Sequence, residues 1–93
     1  MKKSGIDLFE KLKGKRKKID LIDRKLLNLL NQRLRIALEV GKIKKKMGEK
    51  IYNPKRETEV LESLKIKNKG PLKHEDLKKI FETIMRTCRS SQI

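Results

Sequence analysis

Length and charge limit what this chain can be. Its 93 residues leave room for one small domain, and 27 lysine and arginine residues against 12 aspartate and glutamate residues produce a formal net charge of +15. A second hydrophobic core is therefore excluded, and anionic partners are favoured, although the sign of the charge does not identify the anion.

The numbers of cysteine and histidine residues exclude several kinds of disulfide and metal site. The single cysteine, Cys88, excludes an internal disulfide framework and a cysteine-based zinc site, and the single histidine, His74, excludes paired-histidine metal sites. No segment approaches the run of about 18 apolar residues that a membrane span needs, and the start "MKKSGIDLFEKLKGK" lacks the apolar centre of a signal peptide. We therefore expect one cytoplasmic domain over residues 1–93, with no metal and no cofactor.

The first predicted helix runs from about Ile6 to about Met47. Its apolar residues recur at helical spacing, and only Gly14 interrupts it, at a cost of about 1 kcal/mol relative to alanine inside a helix. The helix is expected to stop at "MGEK", and the first five residues of the chain are expected to be disordered.

Two shorter helices follow in the sequence. Asn53 can cap the second helix, Pro54 suits its first position, and its end is expected near residues 68–70. The third helix follows "GPLKHED", continues to the chain end, and places an apolar series along one side: Leu77, Ile80, Phe81, Ile84, Met85 and Cys88. Neither a strand-like alternation nor an internal repeat is present, so the expected fold class is all-α with three helices per chain.

The length of the first helix predicts an assembly. A helix of about 40 residues rises about 60 Å, whereas a compact domain of this size has a radius of gyration near 12 Å. The two shorter helices together are shorter than the first, so much of its apolar face would stay in water unless a second copy covered it. We predict an intertwined helical homodimer.

Two cations lie on the apolar face of the first helix. At 100° per residue, Arg33 and Lys44 project near the middle of an arc about 100° wide, and Arg16 lies just off its edge; the arc is formed by Ile19, Ile22, Leu26, Leu29, Leu30, Ala37 and Val40. A buried cation loses several kcal/mol of hydration unless it is paired or reaches water. Arg33 could pair with a carboxylate of another helix, for which Glu57 is a candidate, and the head of Lys44 could extend into solvent. A ligand with more than one negative charge would account for both cations.

The third helix is expected to direct polar groups inward as well, toward the apolar face of the first helix. Gln92 continues the line of Ile84 and Cys88, so its amide is expected to face inward unless it frays into water at the chain end. Cys88 has no adjacent histidine to activate it and is interpreted as a small core residue. The inward set therefore holds cations and an amide without a base or a nucleophile. Such a set suits the binding of a small dianion and the stabilisation of charge that redistributes within it.

Three segments occur in a specific order between about Gly14 and Gln92: "RKKIDLIDRKLLNLLNQRLRIALEVGKIKKK", "IYNPKRETEVLESL" and "IFETIMRTCRSSQ". The first contains a basic residue, an I-D-x-I-D phrase, a leucine run, an arginine and a V-G-x-x-K ending. In this order and spacing they resemble the all-helical chorismate mutase family, which isomerises chorismate to prephenate. The resemblance implies an intertwined homodimer with shared active sites and an isomerase of aromatic amino-acid biosynthesis that acts on a dianionic substrate without a cofactor.

The resemblance also implies roles on the first and third helices. Arg33, together with Arg16 from the other subunit, would bind the substrate carboxylates. Lys44 would contact the ether oxygen of the breaking bond and one carboxylate, and Gln92 would donate a second hydrogen bond to that oxygen. These two are the predicted catalytic residues.

Four further substrate-binding positions follow from the same resemblance. Arg56 and Glu57 match the family's R-E pair at the start of the second helix, where Arg56 would hold the charged site together and Glu57 would accept a hydrogen bond from the ring hydroxyl. Asn53 stands where many members have aspartate, which alters its contact with the hydroxyl. Cys88 stands where many have serine, which puts a side-chain hydrogen bond to a carboxylate in doubt.

Other functions compete with this interpretation. The clusters "KLKGKRKK" and "KIKKK" resemble a phosphate-binding footprint, so a basic helical nucleic-acid-binding protein is one alternative. Only three aromatic residues are available for base stacking, namely Phe9, Tyr52 and Phe81, and inward-facing cations would not reach a duplex. A structural coiled coil is disfavoured by the short capped helices. An isochorismate pyruvate-lyase on the same fold would use much the same cationic site.

Overall fold

The computed structural model describes residues 4–93, and all its regular structure there is helical. Helix α1 spans Ser4–Met47, α2 spans Pro54–Lys67 and α3 spans His74–Ser91. The predicted all-α class with three helices is confirmed. The disorder expected for residues 1–5 is wrong for Ser4 and Gly5, which form the start of α1. Residues 1–3 lie outside the described part of the chain.

The chain divides into two compact units, Met1–Gln32 and Arg33–Ile93. In the first unit, the described residues form the N-terminal part of α1, which is helical through Gly14. The apolar arc predicted for this part is exposed, with side chains between 42% and 58% accessible: Ile19, Ile22, Leu26, Leu29 and Leu30. These five side chains recur at helical spacing along one side of the helix.

The second unit contains the C-terminal part of α1 together with α2 and α3. Helix α2 packs on α3, and the most buried side chains, each 4–6% accessible, come from α3: Leu77, Met85 and Cys88. They are spaced at helical intervals, as the apolar periodicity of this segment predicted.

The end of α1 is set by a glycine. Gly48 has a φ of 72°, and the backbone N–H groups of Gly48 and Glu49 donate to the carbonyls of Lys45 and Lys44 at 3.2 and 2.9 Å. This pattern satisfies two carbonyls that the helix would otherwise leave free, and it requires a left-handed residue that glycine adopts at little cost. The predicted stop at "MGEK" is confirmed.

Helices α2 and α3 begin differently. The side chain of Asn53 accepts a hydrogen bond from the backbone N–H of Arg56 at 3.0 Å, and Pro54 occupies the first turn, as predicted. Helix α3 has no side-chain cap, but Glu75 and Asp76 lie in its first turn, where carboxylates favour the positive end of the helix dipole. Over residues 4–93, none of the helices combines the length and the apolar character needed to cross a membrane.

Candidate active site

One pocket lies within the second unit and has a volume of about 300 Å³. Its walls come from α1, the residues before α2, α2 itself and α3. Apolar side chains share the lining with seven polar or charged side chains and one thiol: Arg33, Lys44, Asn53, Arg56, Glu57, Arg89, Gln92 and Cys88. Seven of the eight predicted site residues therefore meet in one place.

Lys44 lies in the last turn of α1 and is half-buried. Its Nζ donates a hydrogen bond to the backbone carbonyl of Ile51 at 2.9 Å. An ammonium group has three donors, so this bond anchors the head of the side chain and leaves two donors for other acceptors. The side chain is thus held at the pocket wall and does not extend freely into solvent.

Arg33 contacts α3 through sulfur. Its Nη1 donates to Sγ of Cys88 at 3.1 Å. Among residues 4–93, Arg33 forms no ion pair with a carboxylate, so the pairing considered from the sequence is absent there. Because sulfur is a weak neutral acceptor, the positive charge of Arg33 is not compensated by this contact.

Asn53 and Arg56 lie where α2 begins. The Oδ1 atom of Asn53 is engaged in capping the helix, which leaves its NH₂ group to act as a donor. The side chain of Arg56 is 67% exposed and lies 3.9 Å from Glu59 Oε2. An exposed pair at this distance contributes little, so Arg56 is free to move toward a ligand.

Glu57 is paired with a residue that sequence reasoning missed. Arg89 Nε lies 2.7 Å from Glu57 Oε2, and the Arg89 guanidinium carbon lies 4.4 Å from the centre of the Tyr52 ring. The Nε atom is buried, and its N–H is not directed at an acceptor. The contact with Glu57 is therefore an ion pair without a well-aligned hydrogen bond. Arg89 follows Cys88 directly and precedes Gln92 by one helical turn. This spacing could have identified Arg89 from the sequence as a third residue of α3 near the site.

Gln92 faces the pocket and is half-buried. Its backbone N–H donates to the carbonyl of Arg89 at 3.1 Å, which continues α3 by one residue. The amide Oε1 is buried without a partner among the described residues. The alternative that Gln92 frays into water is therefore not what the structure shows.

Arg16 is the predicted site residue that the pocket lacks. It is exposed on α1 in the first unit, and every residue that lines the pocket belongs to the second unit.

The charges of the lining are unbalanced. Four cationic side chains, Arg33, Lys44, Arg56 and Arg89, line the pocket with one carboxylate, Glu57. Only Arg89 is in close contact with that carboxylate. The remaining three cations produce a field that suits a small ligand with more than one negative charge.

Comparison with known proteins gives a consistent result. The sequence pattern of the family described as chorismate mutase type II matches residues 15–93. A bifunctional chorismate mutase/prephenate dehydratase of Pseudomonas aeruginosa is 39% identical over 84 residues, which are 85% of this chain and 23% of that protein. The chain thus spans about a quarter of the length of this relative.

Shorter relatives match over more of their own length. A chorismate mutase of Methanocaldococcus jannaschii is 40% identical over 58 residues, which are 62% of this chain and 59% of that protein. A solved structure of chorismate mutase from Thermus thermophilus (form II) superposes with a TM-score of 0.86 at 33% identity, covering 88% of this chain and 93% of that one. The fold, the family pattern and the lining of the pocket agree, and this chain belongs to the chorismate mutase type II family.

Proposed function

We propose that this chain catalyses the intramolecular rearrangement of chorismate to prephenate in aromatic amino-acid biosynthesis. The observation that supports this most directly is the meeting of Arg33, Lys44 and Gln92 in one pocket with surplus positive charge. Chorismate is a dianion, and its rearrangement needs no proton transfer and no covalent intermediate. A pocket of cations and amides suffices for such a reaction.

The first contribution to the rate is conformational. The transition state is a compact chair, whereas the free substrate is flexible. Arg33 would bind one carboxylate, and the exposed side chain of Arg56 would close on the charged group. Holding the reacting carbons in near-attack geometry can supply several kcal/mol of the barrier reduction, because the loss of freedom has occurred on binding.

The second contribution is electrostatic. Negative charge grows on the ether oxygen as its bond to carbon lengthens. Lys44, anchored to the carbonyl of Ile51, retains donors for this oxygen, and the NH₂ group of Gln92 has no hydrogen bond to a residue of the described chain. Removing one such donor typically lowers the rate by about a hundred- to a thousandfold.

The ring hydroxyl of chorismate would bind at the start of α2. Glu57 keeps one carboxylate oxygen for it while Arg89 contacts the other. Asn53 would donate to the hydroxyl through its NH₂ group, because its oxygen caps the helix. Where family members have aspartate, the side chain could only accept, so the direction of this hydrogen bond is reversed here.

We further propose a homodimer with shared sites, in a single domain over residues 1–93. The exposed apolar arc of the first unit supports this, since a second copy of the chain would remove it from water. Arg16 would then reach the pocket of the partner and bind the second carboxylate. The proposed location is the cytoplasm, where the thiol of Cys88 remains reduced.

The test is the loss of chorismate, followed by ultraviolet absorbance, with the product identified as prephenate or as released pyruvate. Wild-type protein should form prephenate, and Lys44→Ala should lower kcat/KM by at least about a hundredfold. Lys45→Ala, which changes an exposed neighbour of the same charge, is the matched control. Pyruvate release from isochorismate without prephenate formation would indicate the lyase, and no turnover by a folded protein would overturn the proposal.

A further inference from the structure

Gly41 lies on α1 in the second unit, one turn before Lys44. It is not in the left-handed region, so backbone conformation does not require a glycine here. Inside a helix, glycine is about 1 kcal/mol less favourable than alanine. Some other constraint must account for the absence of a side chain at this position.

That constraint is the side chain of Gln92. A Cβ atom placed on Gly41 would lie 2.9 Å from Cγ, 3.1 Å from Cβ and 3.2 Å from Cδ of Gln92. Ordinary carbon–carbon contacts are about 3.5–4.0 Å. The stem of Gln92 therefore occupies the space that any other residue at position 41 would fill.

The surroundings of Gly14 differ from those of Gly41. Gly14 lies on the same helix, and beyond its chain neighbours and the adjacent helix backbone, a Cβ atom there would meet no heavy atom within 4 Å. A general requirement for flexibility in α1 would not distinguish the two glycines. Only Gly41 has a side chain of the pocket packed directly against it.

We propose that Gly41 is a positioning residue that seats the amide of Gln92 beside Lys44 in the pocket. This inference rests on the proposed mutase function for its effect on rate, and on contacts alone for its effect on Gln92. Gln92 is the C-cap residue of α3. Rotation about its χ1 moves Cγ and Cδ away from an added methyl group, and relief of the 3.1 Å contact with Cβ needs a shift of a few tenths of an ångström in the last turn of α3. The consequence of a larger residue at position 41 is a displaced donor and not an unfolded protein.

Steady-state kinetics of Gly41→Ala and Gly14→Ala form the test. Gly41→Ala should lower kcat about tenfold to a hundredfold, since a displacement of about 1 Å in an active site can cost a hundredfold. KM should change much less, because the Gln92 hydrogen bond strengthens only as charge grows on the ether oxygen. Gly14→Ala should unfold at or above the wild-type temperature, because it replaces a helical glycine that faces open space. Gly41→Ala should unfold cooperatively close to the wild-type temperature, because the gain in helix propensity is opposed by the crowded contact with Gln92.

A double-mutant cycle separates the positioning role from a general distortion of α1. In a Gln92→Ala background, Gly41→Ala should have little further effect on kcat. An undiminished loss in that background, wild-type kcat in Gly41→Ala, or an equal loss in Gly14→Ala would each overturn the inference.

A readout that needs no turnover keeps the inference distinct from the proposed function. The side-chain amide signals of Gln92 in a ¹⁵N–¹H correlation spectrum should shift in Gly41→Ala and stay in place in Gly14→Ala. If wild-type protein fails to convert chorismate, the mutase proposal fails, and these signals still decide the role of Gly41. Unchanged Gln92 signals in Gly41→Ala would overturn the positioning role of Gly41.

Discussion

The guanidinium of Arg33 donates to the sulfur of Cys88 at 3.1 Å, across 55 positions of the sequence. This contact joins α1 to α3 at the wall of the pocket. It also explains how a cation on an apolar helix face is oriented without being neutralised, because a thiol accepts a hydrogen bond but contributes no negative charge. The charge of Arg33 thus remains available to a ligand.

Substitutions of Cys88 should reveal this orienting role. Cys88→Ser keeps an acceptor, and a stronger one, so KM for chorismate should not exceed that of the wild type. Cys88→Ala leaves the guanidinium N–H without its partner, at about 1 kcal/mol, which corresponds to about a fivefold rise in KM. Steady-state kinetics on the three proteins check this. Equal losses for serine and alanine would show that the volume of sulfur matters and its acceptor capacity does not.

The pH profile should reflect the chemistry of Gln92. An amide donates without being protonated, so wild-type activity should not require acid pH. In Gln92→Glu the ionised carboxylate can only accept, and kcat near neutral pH should fall by about a hundredfold or more. Activity should return as the pH falls and the carboxyl group becomes a donor.

The control for this prediction is Glu82→Gln, which makes the reverse exchange on an exposed position of α3. Its kcat should follow the wild-type profile from pH 5 to pH 8. A wild-type profile that collapses above pH 6 would contradict the role given to the amide.

The ion pair of Arg89 with Glu57 should be energetically coupled. The two side chains are 31% and 21% exposed, so a partner left unpaired would be only partly solvated. Arg89→Gln should lower the free energy of unfolding by about 1–2 kcal/mol, less than for a fully buried pair because water screens both groups. Urea unfolding at one protein concentration measures this, and Arg86→Gln, exposed one turn earlier on α3, is the control.

A second measurement isolates the pair itself. The cycle of Arg89→Gln, Glu57→Gln and the double variant should show a coupling of at least about 0.5 kcal/mol. Strictly additive effects would mean that the 2.7 Å contact contributes nothing to stability.

The proposed dimer depends on the exposed apolar arc of the first unit. Leu26 is 51% exposed there, and Leu26→Glu would place a charge within the interface. Sedimentation equilibrium should report twice the chain mass of 11.0 kDa for the wild type and a shift toward the single-chain mass for Leu26→Glu. Activity should fall with the dimer, because Arg16 would no longer reach a second pocket.

Asn28→Glu introduces the same residue and the same charge change about 200° around the helix from Leu26. It should remain dimeric and active. A wild-type protein that sediments as a single chain at micromolar concentration would overturn the assembly.

Much of the architecture could be predicted because it depends on local chemistry. Helical spacing of apolar residues predicted α3 and its buried side, Asn53 and Pro54 predicted the start of α2, and Gly48 marked the end of α1. Each signal acts within a few residues, through a cap, a turn or one face of a helix. The same periodicity placed Arg33 and Lys44 on the apolar face of α1.

Tertiary structure decided which groups meet. The sequence suggested Glu57 as a candidate partner for Arg33, whereas folding brings Glu57 to Arg89 and Arg33 to Cys88. Likewise, nothing local to "EVGKIK" shows that Gly41 accommodates the side chain of Gln92.

The amino-acid sequence by itself determined the three helices, the end of α1, the start of α2 and the apolar side of α3, because these follow from interactions between neighbours in the chain. Helix α3 begins at His74 and ends at Ser91, earlier at both ends than the sequence predicted. Only the tertiary structure decided the partner of each charge and the space left for each side chain, because these depend on how α1, α2 and α3 approach one another. Contacts of this kind join residues far apart in the sequence, and their distances are set by packing.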